Sequence, residues 1–240
     1  MPAIVPSILA PTSPSDLALT DSESAAARLA MVRDNIALAA RSAGRPAAGI
    51  DLVAVSKTWP AEAIVPLIAA GQRHFGENRV QEAQAKWPAL RAAHPDLVLH
   101  LVGQLQSNKA AEAVALVDVI HAVDRPSLVA ALAKAMDASG RRPACYLQVN
   151  IGDEPQKAGC AIGELPALLA AARDAGLPVV GLMCVPPAGI EAAPFFALLA
   201  KQARDHGLPG LSMGMSGDYE TAVLLGATVV RVGTALFGSR

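Results

Sequence analysis

The sequence predicts one (β/α)8 barrel over residues 21–240, preceded by an N-terminal extension over residues 1–20. Three observations predict it. Short apolar runs alternate with longer helical segments, and eight such strand-then-helix units fit within the 240 residues. Every crossover between strands is helical, as parallel strands require. Ser56-Lys57-Thr58 stands where an open doubly wound sheet usually carries a Gly-rich turn after its first strand. No linker or shift in composition divides the chain, so a single domain is expected.

The elements follow in order. Thr20-x-x-Glu23 can form a capping box for a helix running to Ser42, with Leu29, Val32, Ile36 and Ala40 on its apolar face and Gly44 beyond its end. The first strand is Leu52-Val53-Ala54-Val55, bounded by Asp51 and by Thr58-Trp59-Pro60. Pro60 suits a helix start, and Ala61–Ala70 follows, with Pro66 as a possible kink. A strand over Arg73–Gly76 leads into a helix from Asn78 that Pro88 should interrupt. Val98–Val102 and Val119–Val123 are the next strands, the latter followed by Asp124 as N-cap and Pro126 near the first helical position. The remaining strands are Cys145–Ile151, Val179–Val185, Gly210–Met215 and Thr228–Val232, each separated from the next by a helical segment.

Composition narrows the function. Lys and Arg number 20 against 21 Asp and Glu, which gives no footprint for nucleic acid or an anionic membrane. The three cysteines have no paired-ligand spacing, so reduced cytosolic thiols are the natural reading, and neither a disulfide framework nor a zinc site is expected. No apolar run reaches membrane-spanning length, and the N-terminus, broken by Pro6 and Pro11 and without Lys or Arg before Arg28, is a poor signal peptide. Residues 1–20 read as a flexible Pro/Ser-rich extension.

Residues that end the strands of a barrel converge at one mouth. Here they are Lys57, Glu77 and Asn78, Gln104 and Asn108, Asp124, Asn150, Met183, Ser212 and Ser216, and Arg231, Gly233 and Thr234. A lysine at an apolar mouth has a reason to lose its proton, and a neutral amine can form a Schiff base. A solvated lysine at a strand end would explain the stretch as well. Barrels often hold phosphate at the loops after strands seven and eight, where Ser212 or Ser216, the Gly233 amide and Thr234 offer donors. An ordinary turn and cap is the alternative. A lysine opposite a phosphate cradle suggests a phosphorylated aldehyde, of which pyridoxal 5′-phosphate is the common one. Arg231, flanked by Val230 and Val232, is either a structural ion pair, for instance with Glu77, or a partner for the pyridine nitrogen. An arginine keeps its proton and would leave that nitrogen unprotonated, so the ring would be a poor electron sink. His74, His100 and His121 read as core or N-terminal-face residues rather than bases. No carboxylate pair has glycosidase-like or metal-like spacing, and Ser212 and Ser216 have no evident His and Asp partners in the sequence for hydrolysis.

The segments LVAVSK (52–57), HFGENRVQEAQAKW (74–87), HLVGQLQSNK (100–109), LQVNIGDEPQKAG (147–159), GLMCVPP (181–187) and LSMGMSGDYETAVLLGATVVRVGTALFG (211–238) resemble those of the pyridoxal phosphate homeostasis proteins, the YggS-like or proline synthase co-transcribed family. The resemblance covers residues 24 to 238. It implies a barrel similar to the N-terminal domain of alanine racemase, with pyridoxal phosphate on Lys57. It further implies phosphate contacts at Ser212, Ser216, Gly233 and Thr234, Arg231 near the pyridine nitrogen, and Asn78 close to the cofactor. Gln104 stands where the family more often has histidine or arginine and is assigned no role. The expected function is a cytoplasmic, monomeric carrier that holds the cofactor and delivers it to apo-enzymes. An amino-acid racemase is the alternative; it needs a second base on the opposite face of its substrate. Alanine racemase takes that base from a further domain, for which the sequence after the eighth unit leaves no room, and neither Tyr146 nor Tyr219 is placed like a dedicated base. A lysine-dependent aldolase would not explain Arg231.

Overall fold

The computed structural model describes residues 21–238. Eight parallel strands close into a barrel in sequence order. They are β1 (Asp51–Val55), β2 (His74–Glu77), β3 (Val98–Leu101), β4 (Val119–Val123), β5 (Ala144–Gln148), β6 (Val179–Met183), β7 (Gly210–Ser212) and β8 (Val229–Val232). Closure comes from β1, which pairs with β2 on one side and β8 on the other. Around them run α1 (Asp21–Ser42), α2 (Ala61–Ala69), α3 (Val80–Ala93), α4 (Ala110–Leu116), α5 (Pro126–Ser139), α6 (Leu165–Asp174), α7 (Ala193–Asp205), α8 (Tyr219–Leu224) and α9 (Thr234–Phe237). Helix α1 precedes the first strand and packs beside α2, α8 and α9, sealing the ring where the chain begins and ends the barrel.

Side-chain alternation along each strand divides the core in two. Outward residues such as Leu52, Ala54, Val230 and Val232 join the helices in one large apolar cluster. Inward residues Val53, Tyr146, Met183 and Val229 form a small second cluster in the lumen. The lumen also buries polar groups, among them His100, His121, Ser212 and Arg231. That polar filling is unusual beside the branched apolar layers that dominate such barrels.

Three local expectations differ from what forms. Pro88 does not interrupt α3, which runs through it; Pro88 and Gln84, whose carbonyl loses its partner, are both exposed, so water can take the lost bond. Asp124 does not cap α5. The N-cap residue is Arg125, and the Asp124 carboxylate instead accepts from Arg125 at 2.6 Å and from the Gly159 amide at 3.4 Å. Strands β5, β6 and β7 stop two or three residues early, and the residues beyond them shape the loops at the mouth. The capping box at Thr20 and the extension over residues 1–20 lie outside the described residues. Among the described residues no helix is long and apolar enough to cross a membrane.

Candidate functional site

A cavity of about 740 Å³ opens at the C-terminal end of the strands. Lys57, Asn78, Ser216, Arg231, Gly233 and Thr234 all line it. The rest of its wall is largely apolar: Val55, Trp59, Val102, Val185 and Met215. Ligand pockets of this kind pair an apolar body with a few placed polar groups.

Lys57 follows β1 on a turn that is held from behind. Thr58 takes a left-handed backbone, φ 64°, uncommon for a β-branched residue. Two residues of α3 pin this conformation. Glu82 accepts the Thr58 amide proton. Lys86 Nζ donates to the carbonyls of Ser56 and Trp59, both at 3.0 Å, bracketing Lys57. Lys86 in turn pairs with Glu77 at 2.7 Å, and Glu77 Oε1 accepts from Ser56 Oγ at 2.7 Å and Trp87 Nε1 at 3.0 Å. Trp59 stacks on Phe237, ring centres 5.6 Å apart, which ties the turn to α9. Lys57 itself is exposed at the rim rather than enclosed by apolar surroundings as the sequence suggested. Among the described residues its side chain makes no ion pair.

On the opposite wall, the loop after β8 brings backbone donors together. The amides of Gly233 and Ala235 point at Ser216 Oγ, at 3.2 and 3.5 Å. Thr234 opens α9 at the same point. The neighbouring loop turns at Gly214, φ 93°, where a Cβ would meet Ala222 Cβ at 2.6 Å, so only glycine brings Ser216 this close. The backbone of Asn78 approaches Gly103 closely across the mouth, where a Cβ would lie 2.4 Å from the Asn78 carbonyl oxygen.

Arg231 forms the floor. It is 5% exposed, and burial lowers the pKa of its guanidinium, yet it remains a donor. Nη1 donates to Ser212 Oγ at 2.6 Å and Nη2 to the Cys184 carbonyl at 2.8 Å. The ion pair with Glu77 weighed from sequence does not form, since Glu77 is engaged by Lys86. No carboxylate among the described residues lies in ion-pair contact with Arg231. A buried charge without a counter-charge is costly unless a ligand completes it.

Ser212 does not reach this cavity. It is fully buried behind Arg231, between that residue and His121, whose Nδ1 lies 2.8 Å from its hydroxyl. Other mouth residues named from sequence also turn away. Asn150 folds back on its own loop through both polar atoms, to the carbonyl and amide of Glu154. Gln104 lines a separate depression, and Met183 is buried in the lumen. What sequence reading missed is the support: Lys86, Glu82 and Trp59. The i,i+4 spacing of Glu82 and Lys86 was visible, but an exposed helical pair has the same spacing. Among the described residues no His, Cys, Asp or Glu cluster could hold a metal ion.

A closed (β/α)8 barrel, an exposed lysine after β1, a guanidinium floor and converging amides after β8 define a barrel of the alanine racemase N-terminal type. The family described as alanine racemase, N-terminal domain, matches residues 28–240. The Pseudomonas aeruginosa pyridoxal phosphate homeostasis protein is 42% identical over 221 residues, covering 90% of this chain and 95% of that protein. The Escherichia coli K12 protein of the same name is 39% identical over 228 residues, covering 88% and 95%. PipY of Synechococcus elongatus, solved with pyridoxal phosphate bound, superposes with a TM-score of 0.78 at 42% identity, covering 89% of this chain and all of that one (100%). Alanine racemase from Bartonella henselae shares the fold at a TM-score of 0.64 and 17% identity, covering 92% of this chain and 61% of that one. The chain belongs to the pyridoxal phosphate homeostasis protein family.

Proposed function

We propose that this protein binds pyridoxal 5′-phosphate at the mouth of the barrel and serves as an intracellular carrier of it. The observation that carries the reading is that an exposed lysine and a buried guanidinium without an ion-pair partner among the described residues share one cavity with a set of converging amide donors. That donor set fits the three ends of the cofactor. Lys57 would hold it as a Schiff base, its Nζ replacing the aldehyde oxygen, which leaves as water. Ser216, the amides of Gly233 and Ala235, and Thr234 would bind the phosphate. Ser212, behind Arg231, would contribute only indirectly. Arg231 would face the pyridine nitrogen, and Asn78 would lie over the opposite wall.

The same residues argue for holding rather than turnover. A guanidinium donates only, so the ring nitrogen against it stays unprotonated and draws little charge from a substrate carbanion. Neither tyrosine supplies a second base at the mouth. Tyr146 stacks on His121 inside the lumen, and the Tyr219 hydroxyl accepts from Asn35 Nδ2 at 2.9 Å. Exposure of Lys57 and Met215 at the rim leaves the cofactor accessible to acceptor amines and to apo-enzymes. Location in the cytoplasm and action as a monomer belong to this proposal.

Borohydride trapping tests it. Reduction in the presence of the cofactor should fix it to the peptide carrying Lys57, and Lys57→Ala should abolish the adduct. An adduct on Lys109 or Lys157 instead would sink the assignment. For turnover, the loaded protein with L-alanine in deuterated water should exchange the α-proton slowly while reactivating an apo-transaminase. Exchange on the order of 1 per second or faster would make it an enzyme.

A further inference from the structure

We infer that Ser212, His121, His100 and His74 form one ordered proton line that positions Arg231 at the mouth and ends at the N-terminal face of the barrel. The line crosses the lumen from β8 to β2. Arg231 Nη1 lies 2.6 Å from Ser212 Oγ, Ser212 Oγ 2.8 Å from His121 Nδ1, His121 Nε2 2.9 Å from His100 Nδ1, and His100 Nε2 3.0 Å from His74 Nδ1. Ser212, His121 and His100 are buried, and His74 is half-buried beside a cavity of about 390 Å³ at the opposite end from the mouth.

One fixed donor sets the direction of every link. A guanidinium carries only N–H groups, so Ser212 Oγ accepts from Arg231. Among the described residues Ser212 Oγ has one other neighbour, His121 Nδ1. Its single proton is buried and needs an acceptor. His121 Nδ1 therefore accepts, and the His121 proton sits on Nε2. His121 Nε2–H then donates to His100 Nδ1, and His100 Nε2–H donates to His74 Nδ1. The reverse order would send two donors into Ser212 and leave its hydroxyl proton buried without a partner.

Burial keeps His100 and His121 in the neutral form the line requires. Burial, with the nearby His74, brings the His100 imidazole down to about 3, and burial holds His121 well below its ordinary value. A neutral imidazole offers one donor and one acceptor, which is what a line of one direction needs. Tyr146 stacks on His121 at 4.7 Å between ring centres and limits its rotation.

Ser212 and the three histidines are thus positioning residues. They direct a serine lone pair at Arg231 and hold one edge of the guanidinium, while the Cys184 carbonyl holds the other. The positioning role rests on the proposed function, in which Arg231 faces the ring nitrogen; the proton order does not.

Nitrogen NMR on the labelled, ligand-free protein tests the order directly. Couplings across the hydrogen bonds should link His121 Nε2 to His100 Nδ1 and His100 Nε2 to His74 Nδ1, with the protons on Nε2 in both. Absent couplings, or protons on Nδ1, would overturn it. Ser212→Asp, an acceptor only, should reverse the line and move the proton of His74 to Nδ1; an unchanged His74 refutes the coupling. For the positioning role, Ser212→Ala should weaken pyridoxal phosphate by about tenfold, the size of one charge-assisted hydrogen bond. It should leave unchanged the binding of a phosphorylated benzaldehyde analogue that lacks the ring nitrogen. Equal weakening of both would make Ser212 merely structural. A wild-type protein that binds neither would remove the cofactor reading and the positioning role together, while the NMR result would still decide the proton order.

Discussion

Replacing Lys86 by methionine isolates the support beneath Lys57. The Lys86 ammonium has three protons for four acceptors: Glu77 at 2.7 Å, Glu82 at 3.0 Å and the carbonyls of Ser56 and Trp59, both at 3.0 Å. Its side chain is 10% exposed and that of Glu77 is fully buried. Among the described residues Glu77 Oε2 has no hydrogen-bond partner, so the carboxylate depends on Lys86 for charge compensation. Methionine keeps the packing of the stem and deletes the charge. Leaving a buried carboxylate alone costs about 3–5 kcal/mol. For a domain of this size, at roughly 2–4 °C per kcal/mol, that lowers Tm by roughly 6–20 °C.

The pair is separable from the packing by a second substitution. Glu77→Gln retains an oxygen for Ser56 and Trp87 and removes the orphaned charge. The double variant Glu77→Gln, Lys86→Met should therefore recover about 2 kcal/mol relative to the sum of the single variants. Urea unfolding of the four proteins measures this, provided the m-values agree. Both Lys86 variants should also slow borohydride trapping at Lys57, because the left-handed turn at Thr58 loses two of its anchors. A Lys86→Met protein within about 0.5 kcal/mol of wild type would refute the reasoning, as would costs that simply add.

Thr234→Val should weaken pyridoxal phosphate more than dephosphorylated pyridoxal, by about 1–3 kcal/mol, as measured by titration; equal weakening would show that Thr234 does not read the phosphate. Gly103→Ala places a Cβ 2.4 Å from the Asn78 carbonyl oxygen and should destabilise the protein by about 1–3 kcal/mol, with Asn78 displaced from the cavity in the NMR spectrum. His100 and His121 are held neutral in the fold and titrate near the ordinary histidine value when unfolded, so acid favours the unfolded chain. Between pH 7 and 5.5 the two together should remove about 2.5 kcal/mol, and a flat urea midpoint over that interval would contradict their neutrality. Burial pushes the thiols of Cys145, Cys160 and Cys184 up to about 12, so a thiol reagent at pH 8 should label none in the native protein and all three after denaturation.

The strands were legible because each is a short apolar run, and the helices because each follows one at a regular distance. Lys57, Asn78, Ser216, Arg231, Gly233 and Thr234 could be gathered on paper because strand ends in a barrel share one mouth. That rule gives height along the axis only approximately. Ser212 and Ser216 are four residues apart on one strand-loop segment, and the rule treated them alike. The early end of β7 and the left-handed Gly214 separate them: Ser212 stays in the lumen, and Ser216 is carried out to the cradle. Pro88 failed as a helix breaker for a comparable reason. Whether a proline interrupts depends on which face its lost bond occupies, and that face is fixed by packing against the barrel.

The histidines mark a further limit. Each alone is a polar residue on an apolar strand, His100 and His121 buried and His74 half-buried, and nothing in the sequence links positions 74, 100, 121 and 212. The link is made by register. His100 pairs with Gly76 on β2 and Val119 on β4, so each histidine sits slightly higher than the last as the strands wind around the axis. Shear turns an unremarkable set of strand residues into a continuous path. The same geometry answers why Arg231 can be buried with no carboxylate partner among the described residues. A carboxylate in contact would neutralise it and occupy the direction a ligand needs. Two neutral acceptors, Ser212 Oγ and the Cys184 carbonyl, hold the guanidinium without cancelling its charge, and the histidine line behind Ser212 fixes one of them. The positive charge therefore remains available toward the cavity, where a donor-only group sets the protonation of whatever nitrogen lies against it.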